Sequence, residues 1–209
     1  MPAPTKAQLV ARWTPDMESE AIRWLERSGH GETPFGRTEA GLADLRGLKP
    51  ACDQPICDQT LSHLDLSWSV IRGFSACEVT HSFFRGATID GWLHRAFTEC
   101  DFSGARIKLG GMGGHGVLFD RCNLDRVTMG KRPRLCVLFR ACSMRSADLR
   151  AHEPQDVCFE RCDLTGARFG SRLLSKHDVP QPLRGVCFFG CQLEDVTWNT
   201  ADPDSAVIR

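Results

Sequence analysis

Cys122, Cys142 and Cys162 stand twenty residues apart. Phe119, Phe139 and Phe159 keep the same interval, as do Val117, Val137 and Val157 and the series Leu124, Met144 and Leu164. The shared unit is V-x-F-x-x-C-x-L-x-x-A-x-F. It reads VLFDRCNLDRVTM from Val117, VLFRACSMRSADL from Val137, VCFERCDLTGARF from Val157 and VCFFGCQLEDVTW from Val186. Looser copies lie upstream. One holds Phe97, Cys100, Phe102, Ala105 and Ile107, and an earlier one holds Phe74, Cys77, Val79, Ser82 and Phe84. Such a chain buries the apolar residues of each unit against those of the next, so the array folds and the single unit does not.

Within each unit the large apolar residues recur every five positions. Helices give three and four, and strands give two. Each pentad has one small inward candidate and, two residues on, one large one, with polar residues around them. Cys162-Asp163-Leu164-Thr165-Gly166 and Ala43-Asp44-Leu45-Arg46-Gly47 show the form.

This pattern resembles the pentapeptide-repeat family, whose consensus is close to A-(D/N)-L-x-x. The resemblance covers roughly residues 42–200. It implies an all-β fold, a right-handed quadrilateral β-helix with one pentad per face and four per turn. The family's central large position maps to Phe74, Phe97, Phe119, Phe139, Phe159 and Phe188 on one face. It maps to Val79, Phe102, Leu124, Met144, Leu164 and Leu193 on the next, and to Phe84, Ile107, Met129, Leu149, Phe169 and Trp198 on the third. The small position maps to Cys77, Cys100, Cys122, Cys142, Cys162 and Cys191. With rungs about 4.8 Å apart, five to six coils make a rod core roughly 25–30 Å long.

Cysteine usage follows from this column rather than from redox chemistry. The chain has 11 cysteines, and the six in the column read as small, soft core filler. Cys52 and Cys57, with His63 nearby, lack the four converging ligands of a structural zinc site. No metal and no cofactor is expected. The glycine-rich run at 109–116 is followed by no Lys-Ser/Thr pair and opens no helix pattern, so it reads as a turn, not a phosphate loop. The histidines are scattered and no nucleophile elbow occurs, which points away from catalysis. No signal segment and no apolar run long enough to span a membrane is seen, so a cytoplasmic protein is expected.

The regular pattern breaks on one edge. Between Val117 and Phe169 the fourth face carries Lys131, Arg132, Pro133 and Arg134 in one coil and Ala151, His152, Glu153 and Pro154 in the next. Insertions at 109–116 and 170–185 fall on the same edge, the side on which solenoids commonly carry their working surface. Ahead of the rod, Thr14 as N-cap and Pro15 at the first helical position predict a helix to about Arg27, stopped by Ser28-Gly29. It is expected to cap the N-terminal end of the rod; the alternative is a partner-binding helix anchored by Trp13 and Trp24. The organisation is therefore a helical cap and connecting loop over 1–40, the β-helix over 41–200 and a tail over 201–209.

A candidate interaction face lies outside the coil. The residues before the central Phe point outward, and they are Leu118, Leu138, Cys158 and Cys187, with Arg132 and Arg134 at the edge. The next face offers Asp101, Asn123, Ser143, Asp163 and Gln192 instead. The apolar stripe is either an interface or lies under the 170–185 excursion or the N-terminal segment. Arg132, Arg134, Arg140, Arg145 and Arg150 form a basic cluster, with Asp148, Glu153, Asp156 and Glu160 near enough in sequence to offset it.

Some pentapeptide-repeat proteins protect DNA gyrase from inhibitors by resembling DNA in shape and charge, which implies an acidic surface and commonly a dimer. This chain departs from that pattern: it has 26 basic and 26 acidic residues and a formal net charge of zero. The leading expectation is a noncatalytic scaffold whose partner is another protein. Gyrase protection and a secreted bacterial effector are the alternatives. Direct nucleic-acid binding and membrane association are not expected, and a homodimer is left open.

Overall fold

The computed structural model describes residues 4–50, 54–109, 116–130, 134–150, 155–170, 183, 185–200 and 206–209. One side of the rod is a column of parallel strands. Val117–Asp120, Arg134–Arg140, Gln155–Glu160 and Val186–Phe189 pair in succession, so that Phe119, Phe139, Phe159 and Phe188 are direct register partners. Sequence neighbours along this column are a whole coil apart, which makes the fold a parallel β-solenoid. In-register pairing puts identical side chains above one another. The four phenylalanine rings, continued by Phe97, stack at centroid spacings of 5.0–5.3 Å. Alternation does the rest: Val117 and Phe119 face in and are buried, whereas Leu118 between them faces out.

The second side is held by single bridges, Phe83 to Asp101, Asn123, Ser143, Asp163 and Gln192 in order. These outward residues leave Phe84, Phe102, Leu124, Met144 and Leu164 fully buried behind them. The third side places Ile71, Ile89, Ile107 and Met129 in register, with Phe169 paired to Trp198.

Upstream, the register differs from the sequence mapping by one pentad. Val79, not Phe74, pairs with Phe97, and Leu61 pairs with Val79. Phe74 instead pairs with Ile56 and Leu93 on the preceding side. Phe84 stacks on Phe102 at 4.5 Å and belongs to the second side, not the third. The cysteine column begins with Ser82, whose hydroxyl takes the place that the Cys100 thiol takes one coil on. Cys77 sits outside that column. The cause is coil length. Leu61 to Val79 and Val79 to Phe97 are eighteen residues each, Phe97 to Phe119 is twenty-two, and Phe159 to Phe188 is twenty-nine. Phe74-x-x-Cys77-x-Val79 has the same spacing as a true copy, but the shorter coils bring a different pentad over it.

Corners recur as well. His63, His81, Glu99, Arg121, Ala141 and Arg161 all have positive φ between 47° and 56°, although none is glycine. At the opposite end of the second side, tight turns such as Phe102–Ala105 and Leu164–Ala167 close on a hydrogen bond of 2.8–2.9 Å across four residues. Their third residue is also left-handed: Gly104, Arg126, Ser146, Gly166. Asp65, Asp101, Asn123 and Asp163 each accept a hydrogen bond of 2.9–3.1 Å from the backbone N–H two residues on. Hence the Asp/Asn of the pentad is a turn residue, not an acidic signature.

Two helices pack on the first coil. Helix α1 (Lys6–Ala11) has a Thr5–Gln8 capping box, and α2 (Pro15–Leu25) has Thr14 as N-cap and Pro15 in its first turn. Leu9, Ala21 and Leu25 are buried, and Leu45 and Leu48 of the first coil are wholly buried although no coil precedes them. The backbone of Leu9 lies against Gly47, where a Cβ would fall 2.7 Å from the Leu9 carbonyl. Trp13 donates its indole N–H to the Arg46 carbonyl at 2.9 Å and meets Phe35 edge-on, while Trp24 donates to Gly31. Both tryptophans are spent on the cap. Arg12 reaches Asp44 with two hydrogen bonds of 2.6 and 3.0 Å, and Arg46 grips the same carboxylate at 2.7 and 2.9 Å. Burial pushes the Asp44 carboxyl up; hydrogen bonds from Arg46 and Arg12 outweigh it and hold the group well below the usual carboxylate range.

Within the 201–209 segment, a strand joins the rod. Val207–Ile208 pairs with Cys187 and Phe188 as a further parallel rung, twenty residues after Phe188. Among the described residues no helix is long and apolar enough to cross a membrane.

Candidate interaction face

The outward residues of the phenylalanine side form one column. Ala96, Leu118, Leu138, Cys158, Cys187 and Val207 are consecutive register partners. Leu118, Leu138, Cys158 and Cys187 are half-buried. Val207 is 42% exposed. The described contacts that α1, Arg12 and Trp13 make with the rod are with Asp44, Arg46 and Gly47 of the first coil, away from this stripe. Arg132, the 110–115 part of the first insertion and 171–182 of the second lie outside the described residues. Arg134 pairs through its backbone with Gln155.

Beside the stripe runs a column that is polar over Thr98, Asp120, Arg140 and Glu160 and ends on Phe189. Arg140 meets Asp120 at 3.0 Å. The adjacent corner continues the alternation of sign. His81 lies 3.0 Å from Glu99, which also meets Arg121 at 3.0 Å, and Arg95 meets Glu78 at 2.8 Å. On the second side, Asp101 pairs with Arg85 and Asp163 with Arg145. Burial raises the Asp163 carboxyl, but hydrogen bonds from Thr165 and Arg145 overcome it and lower the group. On the third side, Arg150 holds Asp148 through two contacts of 2.8 Å and Arg168 adds one of 3.3 Å. Arg140, Arg145 and Arg150 of the basic cluster are therefore each partnered by a carboxylate, Asp120, Asp163 and Asp148 in turn. Among the described residues the register columns carry no uninterrupted row of negative charge.

Inside, the thiols are chemically quiet. Cys100, Cys122, Cys142 and Cys162 are at most 2% exposed, and each donates to a carbonyl of the coil before it at 3.3–3.5 Å. Hydrogen bonding with the neighbouring thiol below, then burial, pushes Cys142 and Cys162 up to about 12. Cys122 is raised for the same reasons. No disulfide joins any of the described cysteines, and Cys191, with Leu193 and Trp198, is only partly buried in the last coil. A shallow groove of about 260 Å³ beside Arg145 and Arg161 holds Ser143 and Asp163 but no histidine. Ser143 donates to the Asp125 carboxylate at 2.6 Å, not to a histidine. No group of three or more His, Cys, Asp or Glu among the described residues is arranged to hold a metal.

Ala96 and Val207 belong to the stripe but stand apart from the regular copies. The twenty-residue interval from Cys187 is the signal that reaches Val207; the twenty-two-residue coil hides Ala96.

No known family profile matches the chain, and no curated protein matches it. Solved structures similar to it include a trypsin-treated form of QnrB1, described as a plasmid-mediated fluoroquinolone resistance protein. The likeness has 14% identity and a TM-score of 0.25 and covers 75% of this chain and 88% of that one. Another is HetL, a pentapeptide repeat protein involved in heterocyst differentiation regulation from the cyanobacterium Nostoc sp. strain PCC 7120. It has 16% identity and a TM-score of 0.26, with 86% and 93% covered. The fold of this chain rests on its own strand register.

Proposed function

We propose that this β-solenoid of pentapeptide-repeat type is a noncatalytic scaffold that offers the stripe from Ala96 to Val207 to another protein. One observation carries the reading: six small or apolar residues stand in one unbroken outward column, while the adjoining outward column carries the Arg140–Asp120 ion pair and the second side the Arg145–Asp163 pair. A contiguous apolar patch rimmed by polar residues is the usual form of a protein contact. A DNA-mimicking role in gyrase protection asks for continuous negative potential, and the Asp–Arg pairing of these faces works against it. Nothing observed favours a secreted effector. A homodimer has one observation in its favour: in the C-terminal coil, Leu193 and Trp198 are partly exposed and Ile208 is 58% exposed.

The test is affinity capture from the native host with the parent chain and with a Leu118→Asp/Leu138→Asp variant that keeps the parent's thermal midpoint. The parent should retain a protein that the variant loses. Identical recoveries from both would remove the stripe from the function. Equilibrium sedimentation of the parent decides the dimer.

A further inference from the structure

The sequence scatters its histidines, but the eighteen-residue coils bring two of them together. His63 and His81 occupy the same left-handed corner of consecutive coils, with φ of 56° and 47°. Ser62 pairs with Thr80 on the strands that lead into these corners, and the His63 N–H donates to the Thr80 carbonyl at 3.2 Å. Both side chains are exposed, and the imidazole centres stand 5.3 Å apart with planes tilted by 34°. The next corner residue is Glu99, whose carboxylate is divided between two neighbours. Oε2 lies 3.0 Å from Nδ1 of His81, and Oε1 is held by Arg121 at 3.0 Å.

We infer that His63 and His81 are two ligands of a divalent metal ion of the imidazole-preferring class, Zn(II) by geometry. The chemical argument is the His81–Glu99 contact. A neutral imidazole that donates Nδ1–H to a carboxylate keeps its lone pair on Nε2, and this pairing is the usual means of orienting a ligating histidine. Arg121 fixes the carboxylate, so Glu99 acts through His81 and is a positioning residue. The geometric argument is the ring spacing. With Zn–N of about 2.0–2.1 Å and about 1.1 Å more to the ring centre, two imidazoles at a tetrahedral angle have centres about 5.1 Å apart, whereas adjacent positions of a square-planar ion bring them to about 4.5 Å. The 5.3 Å between His63 and His81 fits the tetrahedral ion. Among the described residues no cluster of three or more His, Cys, Asp or Glu forms, so the remaining positions are left to water. His63 also lines a groove of about 180 Å³ between the end of α2 and the first coils, with Ser28, Ser62 and Arg37, which gives that water room. Binding forms two N–Zn bonds at imidazole lone pairs and transfers no electron.

The experiment titrates the full reduced chain with Zn(II) at neutral pH against a chromophoric chelator. The parent and Cys57→Ser should each take one equivalent. Asn tolerates a left-handed corner, so His63→Asn and His81→Asn should each lose that uptake while keeping the parent's thermal midpoint. Glu99→Gln should keep the stoichiometry and weaken the affinity by about 10–100-fold. Co(II) in place of Zn(II) should give tetrahedral ligand-field absorption with no thiolate-to-metal band. A further reading needs no variant to fold. With one equivalent of Zn(II) on the parent, diethyl pyrocarbonate followed by peptide mass spectrometry should find His63 and His81 protected together and His30 modified. The site is refuted if the parent takes no ion, if either His variant keeps the parent's affinity, if only one of the two rings is protected, or if a thiolate band places the ion on cysteine. Parental affinity in Glu99→Gln would refute the positioning role.

Discussion

The stacked phenylalanines make a quantitative claim about how far a perturbation travels along the rod. Phe139 lies 5.1 Å from Phe119 and 5.0 Å from Phe159, with ring planes within 11° and 8° of parallel. Phe119 and Phe159 are two rungs apart, about 10 Å, which is beyond the reach of direct ring contact. Phe139→Leu keeps an apolar side chain but removes both stacks. One to two methylene equivalents at about 0.8 kcal/mol each, plus two stacks at about 0.5–1.5 kcal/mol each, give a loss of about 2–5 kcal/mol. In double-mutant cycles, Phe119→Leu with Phe139→Leu should show a coupling of about 0.5–1.5 kcal/mol. Phe119→Leu with Phe159→Leu should be additive within about 0.5 kcal/mol. The assay is urea unfolding in reductant, followed by far-UV circular dichroism. An unchanged slope across the variants is required before midpoints are converted to free energies. Coupling between Phe119 and Phe159 as large as that between Phe119 and Phe139 would falsify nearest-neighbour stacking as the source of the ladder's stability.

Leu164→Arg places a charge at a wholly buried position and should cost at least about 4 kcal/mol; a thermal midpoint equal to the parent's would mean that the side chain does not face inward. Asp44→Asn weakens the clamp between Arg12 and Arg46. Because the Asp44 carboxyl is depressed in the folded chain, its contribution is present above its unfolded value near about 4 and is lost as pH falls through the lower folded value. Parent and variant should therefore differ most near neutrality and converge in acid, as read by unfolding midpoints at stepped pH; a constant difference would exclude the charge as the cause. Gly47→Ala should loosen α1, since the position is left-handed with φ of 77° and its Cβ would strike the Leu9 backbone. Amide exchange over Lys6–Ala11 should accelerate, and parental protection would contradict the packing. Alkylation of the native chain should proceed faster at Cys57, Cys158 and Cys187 than at Cys100, Cys122, Cys142 and Cys162; uniform rates would count against the buried column.

Legibility in the sequence followed coil length. From Val117 to Phe169 the coils are each twenty residues long, so chemical identity and spatial register coincide, and the inward Phe, Cys and Leu positions could be read directly. Upstream, two eighteen-residue coils break that equivalence. Phe74 and Cys77 imitate a copy in spacing, yet the hydrogen-bonded partner of Phe97 is Val79. Pairing depends on where the backbone closes, and spacing reports it only when every side has equal length. Helix α1 carries its own signal, the Thr5–Gln8 capping box, but six residues give too little periodicity to separate from a loop. The outward stripe was legible at Leu118 and Leu138 because strand alternation fixes the face. The Asp–Arg pairs were not, because Arg145 reaches Asp163 and Arg140 reaches Asp120 across rungs eighteen and twenty residues away.

The parallel register gives the rod a mechanical grain. Its rungs are joined by hydrogen bonds that run along the axis, so tension applied end to end loads the rungs in series. The chain should then yield one coil at a time. Tension applied along the strands of one side loads many of those bonds at once, in shear. A partner seated on the stripe from Ala96 to Val207 spans rung after rung and would act as a splint, stiffening the molecule along the one direction in which it is weak.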